Sequence, residues 1–107
     1  MTEYQAGRPK RAPTHPGELL REIIEEQLRI SISDAARQLG VSRQSLHAVL
    51  SGSAAVTTDM ALRFGKLFGK SPDLWLRMQQ AHDLWHGERR LAAELKKIPT
   101  LTPPKAA

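Results

Sequence analysis

His82 and His86 stand four residues apart, a spacing that puts two imidazoles on one helix face, where they could share a metal ion. No glutamate directly follows His82 as in an HExxH motif, and no third ligand is evident. No Ser–His–Asp set can be argued, because the serines fall where helix caps are needed. The sequence has no P-loop and no GxGxxG. It reads as a non-enzyme with no metal site, no cofactor and no small-molecule substrate. Arg43-Gln44-Ser45 offers a different chemistry. A guanidinium can grip guanine O6 and N7 together, and a glutamine amide can do the same for adenine N6 and N7. Such side chains need a short, rigid element to present them.

Two short apolar patterns flank Gly40. Ser31 matches an N-cap with Asp34 three residues on, which predicts a helix over 32–39 that Gly40 ends. Ser42 caps a second helix over 43–50, ending near Ser51-Gly52. Ala36 is small enough for a close crossing, Leu39 and Val41 fill the angle beneath the turn, and Ala35, Leu46 and Val49 complete the facing stripes. Each helix is under three turns and too short to persist alone in water. The rest of the chain must therefore support the pair.

Leu19, Leu20, Ile23, Ile24 and Leu28 predict a helix over 17–28, led in by His15-Pro16. Thr57 caps a helix over 58–68 with Met60, Ala61, Phe64, Leu67 and Phe68 inward, ended by Gly69. Ser71-Pro72-Asp73 starts a helix over 72–86 carrying Leu74, Trp75, Met78, Ala81 and Trp85. That aromatic stripe is core or, less simply, a small-ligand pocket. Gly87 is expected to interrupt this helix, and "ERRLAAELKK" to resume it before Pro99, Pro103 and Pro104. No alternating β pattern and no repeat is evident. The fold class is all-α.

With 107 residues the chain is most simply one domain. It has no cysteine, no run long enough to span a membrane and no apolar h-region near the N-terminus, so a cytoplasmic location is expected. The formal charge is +5. Residues 41–70 are the most basic structured part, with Arg43, Arg63, Lys66 and Lys70 against Asp59. Residues 14–40 are acidic. Residues 1–14, with Arg8, Lys10 and Arg11, are expected to form a flexible basic arm. An acidic partner such as nucleic acid fits this distribution.

Ser31 to Gly52 resembles the helix-turn-helix of the Xre/Cro-like DNA-binding superfamily in its cap, small residue, turn glycine and apolar positions. The likeness is wider. "HPGELLREII", "TTDMALRFGKLFGKSPDLWLRMQQAHDL" and "LAAELKKIPTL" resemble HigA-type antitoxins, most specifically at Ser71-Pro72, Trp75-Leu76 and Gln79. Two features depart from that pattern: "SGSAAV" lacks the basic residue many relatives place there, and His82 stands where many carry Tyr.

The resemblance implies a five-helix Xre/lambda-repressor-like domain over 15–86, with a helical extension and Pro-rich tail over 87–107. It implies an antitoxin that neutralises a RelE-like, HigB-type mRNA-cleaving toxin and represses its own operon as a homodimer on double-stranded palindromic operator DNA. Helix 43–50 becomes the recognition helix, with Arg43, Gln44, Ser45, His47 and Ala48 as base readers. Ser31, Ser33, Arg37 and Ser42 become phosphate contacts. Glu18, Glu22, Glu25 and Glu26 form an acidic face that either meets a basic toxin or is simply solvated. Trp85, Leu91, Leu95 and Ile98 form either a dimer seam or core packing against the first helix. The other readings are a free-standing Xre-family regulator with no toxin, and a protein-interaction adaptor whose helix pair never touches DNA.

Overall fold

The computed structural model describes residues 11–105. Among them are six α-helices and no strand. Helix α1 (Pro16–Arg21) runs into a π-helical segment, Glu22–Gln27. Then come α2 (Ile32–Leu39), α3 (Arg43–Leu50), α4 (Thr58–Phe68), α5 (Pro72–Arg90) and α6 (Ala92–Lys96). No helix is long and apolar enough to cross a membrane.

Local chemistry sets the boundaries. Ser31, Ser42, Thr57 and Ser71 each accept a backbone N–H from the first turn they cap. His15 caps α1 through its ring, and Pro16 and Pro72 open their helices. A neutral hydroxyl or imidazole acceptor there satisfies one of four otherwise unbonded N–H groups.

The predicted helix over 17–28 is not α-helical throughout. From Glu22 it winds as a π-helix, with Leu28 N–H bonded to Ile23 O at 2.8 Å and Ile30 N–H to Ile24 O at 3.1 Å. The wider turn keeps Ile23 and Ile24 buried but rotates Leu28, the expected i+4 partner of Ile24, out to 47 % exposure. Arg29 then takes φ 54° to reverse the chain, a conformation a non-glycine residue adopts at a cost.

The core joins Leu20, Ile23 and Ile24 to Ala35, Ala36 and Leu39, to Leu46, Val49 and Leu50, and to Ala61, Phe64 and Trp75. Phe64 meets Trp75 edge to face at 5.0 Å, and both are fully buried. On α5 the expected stripe holds only in part. Trp75 is fully buried and Met78 and Trp85 are half-buried, but Leu74 and Ala81 face out. Gln79 is buried in their place. Gly87 does not interrupt α5, which continues to Arg90 and breaks at Leu91 (φ −100°, ψ 10°). A glycine inside a helix costs only about 1 kcal/mol, and the ladder around it runs on. Helix α6 packs on α5. It leaves Leu91, Leu95 and Ile98 at 40–65 % exposure, so these are not core.

Candidate nucleic-acid interface

The site is built on the turn between α2 and α3. Gly40 has φ 75°, and the Val41 N–H reaches back to the Ala36 carbonyl at 3.0 Å, closing α2 in a tight reversal. The left-handed φ favours glycine. Arg63 of α4 locks the turn from outside. Its Nη1 donates to the Leu39 carbonyl at 2.8 Å and the Gly40 carbonyl at 3.3 Å, and Asp59 holds its Nε. Two carbonyls at the negative end of α2 thus receive a cation. Arg63 was visible in the sequence only as surface charge. Its i,i+4 spacing from Asp59 was a signal for the ion pair, but nothing local pointed to Gly40.

From this turn α3 projects its outer face. Arg43, Gln44, Ser45 and His47 are exposed, and Ala48 is half-buried. Ser42 accepts the Ser45 N–H at 3.0 Å and donates its own proton to Ser45 Oγ at 2.8 Å. The Ser45 hydroxyl keeps its own proton to donate. On α2, Ser33 and Arg37 are exposed, and Arg37 pairs with Asp34 at 2.6 Å. Ser31 is engaged as the α2 cap. These groups lie around the α2–α3 unit. Arg8 and Lys10 of the expected arm lie outside the described residues; Arg11 is exposed.

The far end of α3 is held as firmly. The hydroxyls of Ser51 and Ser53 both donate to the Ala48 carbonyl, at 3.1 and 3.2 Å, and the Ala54 N–H joins them at 2.9 Å. The segment without lysine or arginine is therefore the cap of α3. Beyond it, the buried Val56 N–H donates to Gln79 Oε1 at 2.8 Å, while Gln79 Nε2 donates to Asp83 at 2.9 Å. Gln79, part of the Ser71–Gln79 motif, pins this segment to α5.

His15 receives the Gly17 N–H at Nδ1, 2.9 Å away. Burial first, then the neighbouring His82, hold its pKa below the ordinary 6.5. The His82 ring lies 5.0 Å from His15 and 4.5 Å from His86. Among the described residues no group of three His, Asp or Glu is placed to hold a metal ion.

The remaining expected residues sit elsewhere. Glu18, Glu22, Glu25 and Glu26 are all exposed on α1 and the π segment. Arg21 pairs with Glu25 at 2.8 Å, an exposed i,i+4 contact of small worth. Trp85, Leu91, Leu95 and Ile98 lie on α5 and the extension. The Arg89 guanidinium covers the Trp85 ring at 3.4 Å. An open apolar groove of about 680 Å³ runs beside them, lined by Val56, Leu76, Leu84, Leu91 and Leu95 with Asp83 also on its wall.

A short helix capped at both ends, packed on α1 and α2 and bearing Arg and Gln on its outer face, defines a helix-turn-helix DNA-binding domain. Known proteins agree. The helix-turn-helix family (HTH_3) matches residues 20–75. The chain is 39 % identical to the uncharacterized HTH-type transcriptional regulator YbaQ of Escherichia coli, over 85 % of this chain and 82 % of that one. A solved addiction module antidote protein of a HigA family from Coxiella burnetii superposes with TM-score 0.78 at 32 % identity, over 86 % of this chain and all of that one. Pseudomonas aeruginosa antitoxin HigA, solved with the higBA promoter, superposes with TM-score 0.77 at 28 % identity, over 84 % and 99 %. The chain belongs to the Xre-like helix-turn-helix family, and its structural neighbours are HigA-family antitoxins.

Proposed function

We propose that this chain is the cytoplasmic antitoxin of a type II toxin–antitoxin module, neutralising a RelE-like, HigB-type toxin and repressing its own operon as a homodimer. The observation that carries this reading is the fit along nearly the whole of the P. aeruginosa antitoxin solved with the higBA promoter. Residues 15–86 form the reading domain and residues 87–107 the extension. On α3, Arg43 and Gln44 read base edges, with Ser45, His47 and Ala48 beside them. Ser31, Ser33, Arg37 and Ser42 hold phosphates and set register. Arg37 leaves Asp34 for a phosphate at little cost, since the pair is exposed.

The acidic face of α1 points to the toxin. Glu18, Glu22, Glu25 and Glu26 repel phosphates, and an RNA-cleaving toxin carries a basic surface that suits them. The exposed Leu91, Leu95 and Ile98, with Trp85, supply the dimer seam. Co-expression tests the toxin assignment. This chain should restore growth to cells poisoned by the product of the gene beside its own. Charge reversal at the four glutamates should abolish rescue, and rescue that survives reversal would remove that face from the interface.

A second reading, a free-standing regulator without a toxin, has its own support: the 39 % identity to YbaQ, named as an HTH-type transcriptional regulator. In that case the chain still binds DNA, and no neighbouring product is toxic.

A further inference from the structure

The C-terminal end of α3 rests on the N-terminus of α1. A Cβ on Gly17 would overlap the Val49 carbonyl oxygen and come within 2.9 Å of that of Leu50. His15 straddles this contact. Its Nδ1 accepts the Gly17 N–H at 2.9 Å. The ring also lies against Gly52. Its remaining side meets the His82 ring of α5 at 5.0 Å, with the planes at 89°. One imidazole therefore touches α1, the segment leaving the recognition helix, and α5.

We infer that His15 is a positioning residue for DNA binding: neutral, its ring caps the first turn of α1, whose Gly17 packs against the end of α3, and so fixes how the recognition helix is held; protonated, it loses that cap and loosens the contact, so DNA affinity falls on acidification. This rests on α3 being the helix that contacts DNA. The chemistry is that of a single lone pair. Neutral imidazole can accept at Nδ1 while donating at Nε2; the imidazolium only donates, and it would confront the Gly17 N–H with a second proton. The recognition helix has just two turns and is held at both ends. Arg63 and Gly40 hold the first end; the Ser51 and Ser53 hydroxyls hold the second from within, and Gly17 of α1 backs it from outside.

The groups facing His15 come from each packed element. His82 of α5 opposes its charging, with His86 stacked behind; Asp83 of α5 and Glu18 of α1 favour it, as does the Ala54 backbone. The segment 51–55 has no ionisable side chain. Burial and His82 prevail, and the folded chain holds His15 below 6.5. The latch is therefore intact above the ordinary imidazole range and is lost as pH falls through the lowered value. The sign is diagnostic. Acidification adds positive charge to a protein, and this alone strengthens DNA binding.

The test compares the full chain with its His15→Asn variant, in which an amide oxygen keeps the cap but cannot titrate. The probe is a duplex carrying the promoter of its own gene. At about pH 7.5 the two should bind within about twofold; at about pH 5.5 the unsubstituted chain should fall behind by about threefold to tenfold. Both chains share every other side chain, so the difference isolates His15. Superimposable pH profiles would overturn the role in DNA binding. A second arm uses no DNA: the amide resonances of Gly17 and Gly52 in the unsubstituted chain should shift with the His15 ring. Stationary amides would overturn the latch itself. Binding by neither chain at any pH, with amides that follow the ring, would overturn the reading of α3 and leave the latch standing.

Discussion

Replacing Gly17 by alanine would drive a methyl group into the Val49 carbonyl and to 2.9 Å from that of Leu50. Both are backbone atoms at the end of a helix and cannot rotate aside. The variant should lose about 1–3 kcal/mol, the range for overpacking a close contact, read as a lower denaturant midpoint with unchanged slope. An unshifted midpoint would mean that α1 and α3 are free to separate. The requirement for glycine was invisible in "HPGE": local sequence displays a cap, a proline and an acid, while the demand comes from a carbonyl 32 positions away. The same holds for Arg63, whose partners are Leu39 and Gly40. The Arg43–Gln44 pair is the opposite case. Its exposure follows from its place just after a cap on a short amphipathic helix, which the sequence displays directly.

Helix ends were the most legible elements. Ser31, Ser42, Thr57 and Ser71 all cap where the sequence placed them, because a hydroxyl bonding its own first turn needs no tertiary partner. What failed depended on packing between elements. The π winding after Arg21 is chosen to bury Ile23 and Ile24 side by side, and no i,i+4 count contains that choice. Gln79 replaced an apolar residue on the buried edge of α5 because the α3–α4 segment brings it an unpaired N–H. Its loss is therefore more than a lost contact. Gln79→Ala leaves the buried Val56 N–H without an acceptor, at about 1–3 kcal/mol. Hydrogen exchange at Val56 should quicken well beyond the change at α2. Equal changes at both would mean that Gln79 contributes to global stability only.

At the scale of the molecule, the reading face and the extension sit on different elements and do different work. Helix α6 is five residues long and packs on α5, and with its flanks it exposes Leu91, Leu95 and Ile98, which is unfavourable for an isolated domain. Leu91→Asp with Leu95→Asp should convert a dimer to a monomer in sedimentation without unfolding, and weaken binding to a two-half-site duplex far more than to one half-site. A chain that stays dimeric would place the seam elsewhere. The exposure of this stripe was half legible: its periodicity was plain, but only the structure shows that it lies outside the core. The central claim is that α3 reads DNA. It is tested most directly by titrating the duplex of the chain's own promoter, against a scrambled duplex, with the unsubstituted chain and with Arg43→Ala plus Gln44→Ala. The account predicts tight, sequence-dependent binding that the double variant loses by about 1–3 kcal/mol per side chain while its thermal midpoint stays put. Undiminished discrimination by the folded double variant would contradict it.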